Sequence, residues 1–567
     1  MRHTECVPSS LTDRTRGALR SAVLSAVLWA IAAVPAASQT PAVSQAPHLE
    51  RRGAVTQLIV DGKPFLALAG ELFNNSATSL DYMKPLWPRL KAMHLSTVLA
   101  PVSWALLEPA EGKFDYALID GLIREARAQD LRLVLLWFGS WKNTWSSYAP
   151  DWVKRDFERF PRVQLRNGAG TERLTPLSDA NRDADARAFA ALMRRIREVD
   201  GDAHTVLMIQ VENEVGVIPD ARDHSAVADE AYRHPVPTEL MTYLGAHRES
   251  LDPALRARWQ VAGSKTSGSW EAVFGPGVET DDLFMAWHYA RYIGKVAEAG
   301  KAEYRLPMFA NAALIRPNYS PGQYNSGGPL PHSMEIWKVG GPQLDFLAPD
   351  IYFEFKKWCD RYDRPDNPLF VPEAAGDSEG ASNVFYAVGQ HGAMGFSPFA
   401  IDGTREPVAE NPLARAYDVL SQLSPLILEH QPKGDVAGAL LEELTPSQEL
   451  RLRDYTLRVS GGGPRRPLFG DRGTVPAVPF QPAYGIFIAA GPNEFYMAGS
   501  GLTVTFSPNT PGPPIVGLAT VEEGRFVDGR WTRGRTLAGD DTGQGNNISL
   551  RGGRESAILR VTVYRYR

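Results

Sequence analysis

Between about residues 64 and 430 the chain alternates short, nearly unbroken apolar runs with longer stretches of helical periodicity. The apolar runs are FLALAG (65–70), STVLAPV (96–102), RLVLLWF (132–138), TVLMIQV (205–211), LPMFAN (306–311), DFLAPDIYF (345–353), PLFVPE (368–373) and GAMGFSPF (392–399). Helical patterns between them include YALIDGLIREARAQ (116–129) and ADARAFAALMRRIREVDG (184–201). A strand without polar alternation is buried on both faces, and a helix after each such strand is the crossover of a parallel sheet. Eight such units predict an α/β fold, a (β/α)8 TIM barrel. A doubly wound open sheet is the alternative.

The longest interval, 217–305, holds a polar loop and the helical patterns ELMTYLGAHRESL and DDLFMAWHYARYIGKVAEAG, which predicts an insertion of about residues 217–280 between strands four and five. After a last helical pattern at 414–430 the texture changes. Residues 433–567 are rich in Gly, Pro and Thr and carry alternating runs such as YGIFIAA, LTVTFSP and AILRVTVYRY, the pattern of an all-β, sandwich-like domain. Its Gly461–Gly463 run reads as a loop, because no Lys-Ser/Thr pair follows to make a phosphate cradle. At the other end Arg14, Arg16 and Arg20 precede AVLSAVLWAIAAVPA and then Ala36, Ala37 and Ser38. This is the grammar of a secretory signal peptide (1–38), so the mature protein is expected to be exported, periplasmic or secreted. The apolar run is shorter than the ~20 residues a membrane span needs. The barrel is then expected over 39–432.

Composition narrows the chemistry. A net charge of −5 over 567 residues gives no reason to expect nucleic acid or an anionic membrane as partner. Cys6 and Cys359 alone cannot build a disulfide framework or a cysteine zinc site. No H-E-x-x-H, EF-hand or dinucleotide fingerprint occurs, so no cofactor and no metal is expected.

Two of the apolar runs end in carboxylates. VLMIQVENEVG (206–216) ends the fourth strand in Glu212, Asn213 and Glu214, and Glu373 ends the seventh. In an ideal strand, residues 212 and 214 face one side and Asn213 the other. A lone carboxylate there is costly to bury unless paired, and a structural cap or ion pair accounts for either one alone. Two of them facing each other across the C-terminal mouth of a barrel are what glycoside hydrolysis requires, one protonated and one ionised. Two rivals remain. Gly376–Gly380 matches the G-x-S-x-G elbow around Ser378, with His391 and His430 downstream, but Glu373 and two alanines separate it from its strand and no oxyanion segment precedes it. A non-catalytic carbohydrate-binding barrel would be expected to have lost one carboxylate.

Several segments carry a family resemblance. LAGELFNNS (68–76) looks like the first-strand Ser-Gly-Glu motif of glycoside hydrolase family 35, within the clan of retaining (β/α)8 glycosidases. RLKAMHLSTVLAPVSWALLEPAEGKFDY (89–116) is similar to its second-strand signature. IQVENEVG resembles its acid/base motif, and FVPEAAG stands at its nucleophile position. The resemblance covers most of 60–400 and implies an exo-acting, retaining β-galactosidase acting on oligo- or polysaccharides with terminal β-galactose. Position by position it implies Glu214 as acid/base, Glu373 as nucleophile, Asn213 on the sugar 2-hydroxyl and Tyr352 beside the nucleophile. Glu71 and Glu212 become sugar-binding or supporting candidates. The chain departs from the family at Val215, where Tyr is common, and in FGSWKNTWSSYAPDW (138–152), where a Gly-Pro-Tyr segment and a Glu-Trp pair usually grip galactose. Trp141, Lys142, Asn143 and Trp145 are the candidates to replace that grip. This leaves a β-glucoside, β-xyloside or α-arabinoside as alternative substrates.

Overall fold

The computed structural model describes residues 45–461, 483–550 and 557–567. The expected signal peptide, Cys6 and all but the first residue of the Gly461–Gly463 run lie outside them. Eight strands form one parallel sheet: β1 (Ala67–Glu71), β2 (Thr97–Ser103), β3 (Arg132–Lys142), β4 (Val206–Asn213), β5 (Met308–Ala313), β6 (Phe346–Ile351), β7 (Glu373–Ala374) and β8 (Gly395–Phe396). Each falls on one of the eight apolar runs. Hydrogen bonding follows chain order from β1 to β7, and β8 pairs with β1. Val371 closes the ring: its N–H donates to Gly395 O at 3.2 Å and its carbonyl accepts from Ser397 N–H at 2.9 Å. Pro372 has no N–H to give to the ladder, which keeps β7 short. The result is a TIM barrel.

Leu99, Leu136, Phe309, Phe346 and Phe370 fill the barrel interior, with ring centroids of Phe309 and Phe346 4.9 Å apart. Leu58 and Val60 join them from an antiparallel sheet of His48–Arg52, Val55–Val60 and Lys63–Phe65 that precedes the barrel. Its second turn is Asp61-Gly62, both at positive φ (51° and 73°), the geometry of a two-residue hairpin.

Between β4 and β5 lie the helices Ala226–Arg233, Thr238–Ala246, Pro253–Val261 and Trp270–Phe274, then Val278–Glu303, which packs on the long helix Asp179–Asp200. After the helix Pro412–His430 the chain forms two antiparallel sheets. One runs in the order Val436–Leu441, Ala483–Gly491, Glu494–Ser500, Ile558–Tyr566, Ile515–Val527, Arg530–Thr536. The other runs Ser447–Leu452, Tyr455–Gly461, Leu502–Pro508, Ile548–Leu550. Strand alternation divides the first sheet between two cores: Phe487 and Ala489 pack between the sheets, whereas Ile486 and Ile488 pack with the barrel helices. The helix Ser378–His391 approaches strand Val436–Leu441 so closely that a Cβ on Gly389 would stand 2.8 Å from Gly438 Cα. Among the described residues no helix is long and apolar enough to cross a membrane.

Candidate active site

The end of β4 departs from an ideal strand. Glu212 and Glu214 both take left-handed backbone conformations, φ 63° and 45°, which non-glycine residues adopt infrequently and mostly where surrounding structure holds them. The expected alternation is therefore broken. Glu212 accepts backbone N–H bonds from Ser140 (3.0 Å) and Trp141 (2.6 Å) and faces Asp185 of the helix Asp179–Asp200. Burial, then the Asp185 charge, pushes its carboxyl well above the ordinary range. Inside the wall Trp137 Nε1 and Ser140 Oγ donate to Asp185 at 2.8 and 2.6 Å. A Cβ on Gly139 would sit 2.5 Å from Glu212 Oε1, so this pair requires glycine there. Glu212 is thus a wall residue that orders the end of β3, and the structure corrects its place among the sugar-binding candidates.

Asn213 and Glu214 turn into the mouth instead. The register of β3 against β4 breaks between Trp137 and Lys142, and this bulge brings Lys142 opposite Asn213. Lys142 Nζ donates to Asn213 Oδ1 at 2.9 Å and lies 3.8 Å from Glu373 Oε1. Asn213 Nδ2 in turn donates to Glu373 Oε1 at 3.3 Å, and Tyr352 OH donates to Glu373 Oε2 at 2.9 Å. Glu373 is therefore an acceptor on both oxygens, with an ammonium beside it. Burial works against the Lys142 charge, but Glu373, Glu214, Glu71 and Asp350 outweigh it and hold the ammonium protonated.

Glu214 stands in a contrasting environment. Burial first, and the Glu373 charge second, push its carboxyl up to about 7, against the lowering effects of Lys142 and of a hydrogen bond with Asp350. Carboxylate oxygens of Glu214, Asp350 and Glu373 lie within 4.8 Å of one another. Two unit charges at that distance repel by about 3.5 kcal/mol at an effective dielectric near 20, equivalent to more than two pH units. Carboxylates so placed must share a cation or a proton, and the positive charge present is that of Lys142. Glu71, at the end of β1, adds a fourth acid: it is fully buried, neither oxygen has a hydrogen-bond partner, and burial and Glu373 raise it well above the ordinary range.

Sequence reasoning missed Asp350 and Asn311. Asn311 takes the Glu214 N–H on Oδ1 (3.0 Å) and donates from Nδ2 to Asp350 Oδ2 (2.6 Å). Both residues were visible as polar positions inside otherwise apolar strands.

The altered segment after β3 divides. Trp141 is fully buried, its indole Nε1–H donates to Leu174 O at 3.0 Å, and its ring packs edge-on against Tyr289 and Tyr292. It is core, which corrects its place among the candidates to grip the sugar. Trp145 is the exposed ring of the segment (46%), with the Arg173 guanidinium 4.0 Å above it. Asn143 is exposed beside Asn213, whose carbonyl accepts the Asn143 N–H at 3.1 Å. Val215 is buried in the apolar core. Ser378 opens the helix Ser378–His391 and is exposed; His391 bonds to Asp363 at 2.9 Å and His430 faces Asp435, so no serine–histidine pair forms.

Residues 83–359 match the family model of glycoside hydrolase family 42, described as Beta-galactosidase, and residues 413–549 match a domain of unknown function, DUF5597. A curated β-galactosidase of Xanthomonas manihotis is 29% identical over 215 residues, which cover 37% of this chain and 33% of that protein. The chain thus spans about a third of the length of that relative. Among solved structures, β-galactosidase from Bacillus circulans sp. alkalophilus aligns with a TM-score of 0.44 and 15% identity over 64% of this chain and 57% of its own. The catalytic domain of β-amylase from Paenibacillus polymyxa aligns at 0.45 and 12% identity over 63% of this chain and 98% of its own. The barrel segment is therefore similar in sequence to β-galactosidases, and the family whose model it matches is 42, not the 35 expected from its motifs.

Proposed function

We propose that this chain is an exo-acting, retaining β-glycosidase that removes terminal β-galactosyl residues from oligo- or polysaccharides. The observation that carries the reading is the pairing of Glu214 and Glu373, with oxygens within 4.8 Å in contrasting surroundings. Retaining enzymes hold their carboxyl groups about 5–5.5 Å apart, whereas inverting ones need about 6.5–9.5 Å to admit a water. Glu214, pushed up to about 7, keeps a proton to give to the leaving oxygen. Glu373, oriented by Tyr352 and Asn213 and faced by Lys142, attacks the anomeric carbon. Glu214 then takes a proton from the water that frees the sugar from Glu373. Asn213 meets the 2-hydroxyl by exchanging its long contact with Glu373 for the sugar. The family-model match over 83–359 supports galactose as the sugar. Residues 1–38 direct export, and the barrel and C-terminal β domain meet near residue 432.

A panel of nitrophenyl glycosides with the purified protein tests the reading. The β-galactoside should turn over fastest, ahead of β-glucoside, β-xyloside and α-arabinoside. Turnover of none of the four contradicts it, and preference for another member retains the mechanism but removes galactose.

A further inference from the structure

We propose that Asp350 is a positioning residue for the acid/base Glu214: a neutral carboxyl, aimed by Asn311, that donates a hydrogen bond to Glu214 whenever Glu214 is ionised. The inference rests on the glycosidase reading above and adds a residue that the reading does not need.

The geometry comes from three neighbouring strands. Asn311 on β5 has both ends of its amide fixed, Oδ1 by the Glu214 N–H and Nδ2 by Asp350 Oδ2. This leaves Asp350 Oδ1 fully buried and without a donor, in a carboxyl group that has an oxygen within 4.8 Å of one of Glu214. Two buried carboxyl groups this close can hydrogen-bond only with a proton between them, since each ionised carboxylate only accepts. The groups around Asp350 make it the one that keeps its proton. The side chain is excluded from water, which is the largest effect; Glu373, Glu214 and Glu71 face it, Lys142 is the cation opposing them, and Tyr352 and Tyr362 add hydroxyls.

The proton inventory is simple. In the first step Glu373 bonds to the anomeric carbon, the glycosidic C–O bond breaks, and the Glu214 proton goes to the departing oxygen. Glu214 becomes a carboxylate at that moment and accepts a hydrogen bond from the Asp350 O–H. Asp350 neither gains nor loses a proton. Its donation favours the ionised form of Glu214 and so strengthens Glu214 as an acid. In the second step Glu214 takes the proton of the incoming water, and the contact returns to its starting form.

The test is kcat/KM against pH for wild type, D350N, D350A and E214A, each on a dinitrophenyl β-galactoside and on a galactoside with a sugar or alkyl leaving group. The first substrate needs no proton in the step that kcat/KM reports, and the second does. D350A should lose about 10-fold or more on the second substrate and much less on the first. Its basic limb should move upward by about one pH unit, because Glu214 has lost the donor that favours its ionised form. D350N keeps an N–H donor in the same place, so its basic limb should stay at the wild-type position. Equal losses on both substrates overturn the proposal. So does a basic limb that moves downward in D350N, which would mean that Asp350 acts as an anion. If D350A does not fold, D350V takes its place, with the same selective loss on the second substrate and the same upward shift expected, and an unmoved limb in D350V overturns the proposal. An E214A variant that spares both substrates overturns the acid/base assignment itself, and Asp350's role with it; a normal E214A defect beside an unmoved D350A limb removes only the Asp350 proposal.

Discussion

Lys142 at the end of β3 lies 3.8 Å from Glu373 at the end of β7 and donates to Asn213 at 2.9 Å, so one ammonium supplies the counter-charge of Glu373 and holds the amide beside it. It is nearly buried and faces four acids, Glu373, Glu214, Glu71 and Asp350. Removing one partner of a buried charge pair leaves the other uncompensated, at a typical cost of about 3–5 kcal/mol. K142M should therefore lower kcat/KM by about 100-fold or more while circular dichroism shows a folded protein. Activity within about threefold of wild type would show that Asn213 and Tyr352 suffice to orient Glu373.

The pH profile should carry the mark of Glu214. Burial and the Glu373 charge place its carboxyl near 7, and the first step needs it protonated. Plots of kcat/KM for a galactoside with a poor leaving group should fall as pH rises through about 7. The same plot for a dinitrophenyl galactoside should lack that fall. A shared basic limb would assign it to another group.

Glu71 should cost stability in a pH-dependent way. In the folded protein burial and Glu373 hold it protonated well above 4.5, whereas the unfolded chain releases the proton near that value. The unfolded state thus binds fewer protons above about pH 4.5, and stability falls with rising pH by up to about 1.4 kcal/mol per unit from this group. Glu71→Gln has no such charge to suppress. The Tm of E71Q minus that of wild type should grow from pH 5 to pH 8. A difference that is constant or shrinks contradicts the assignment.

The barrel was legible because parallel strands buried on both faces leave unbroken apolar runs, and all eight fell where such runs stand. Glu214 and Glu373 were legible because charge at the end of such a run is unusual. Their directions were not. Alternation puts Glu212 and Glu214 on one face, but two left-handed residues send Glu212 into the wall and Glu214 into the mouth. Trp141 and Trp145 look alike in the chain, and only packing against Tyr289 and Tyr292 separates core from rim. The small sheet before the barrel has its own signal in Asp61-Gly62, between the strands Val55–Val60 and Lys63–Phe65, which the count of parallel strands does not use. Asp350 and Asn311 were readable as polar residues inside apolar strands, but their meeting with Glu214 depends on the register of β4, β5 and β6.

The measurement closest to the central claim is mass spectrometry of the protein after incubation with a 2-deoxy-2-fluoro-β-galactoside carrying an activated leaving group. The fluorine slows both steps, and the good leaving group lets the first proceed, so a retaining enzyme accumulates its glycosyl intermediate. The account predicts one fluorogalactosyl adduct per chain, on the peptide that contains Glu373. An adduct on another residue, or steady hydrolysis of the unsubstituted galactoside with no adduct and release of the α-anomer, would contradict it.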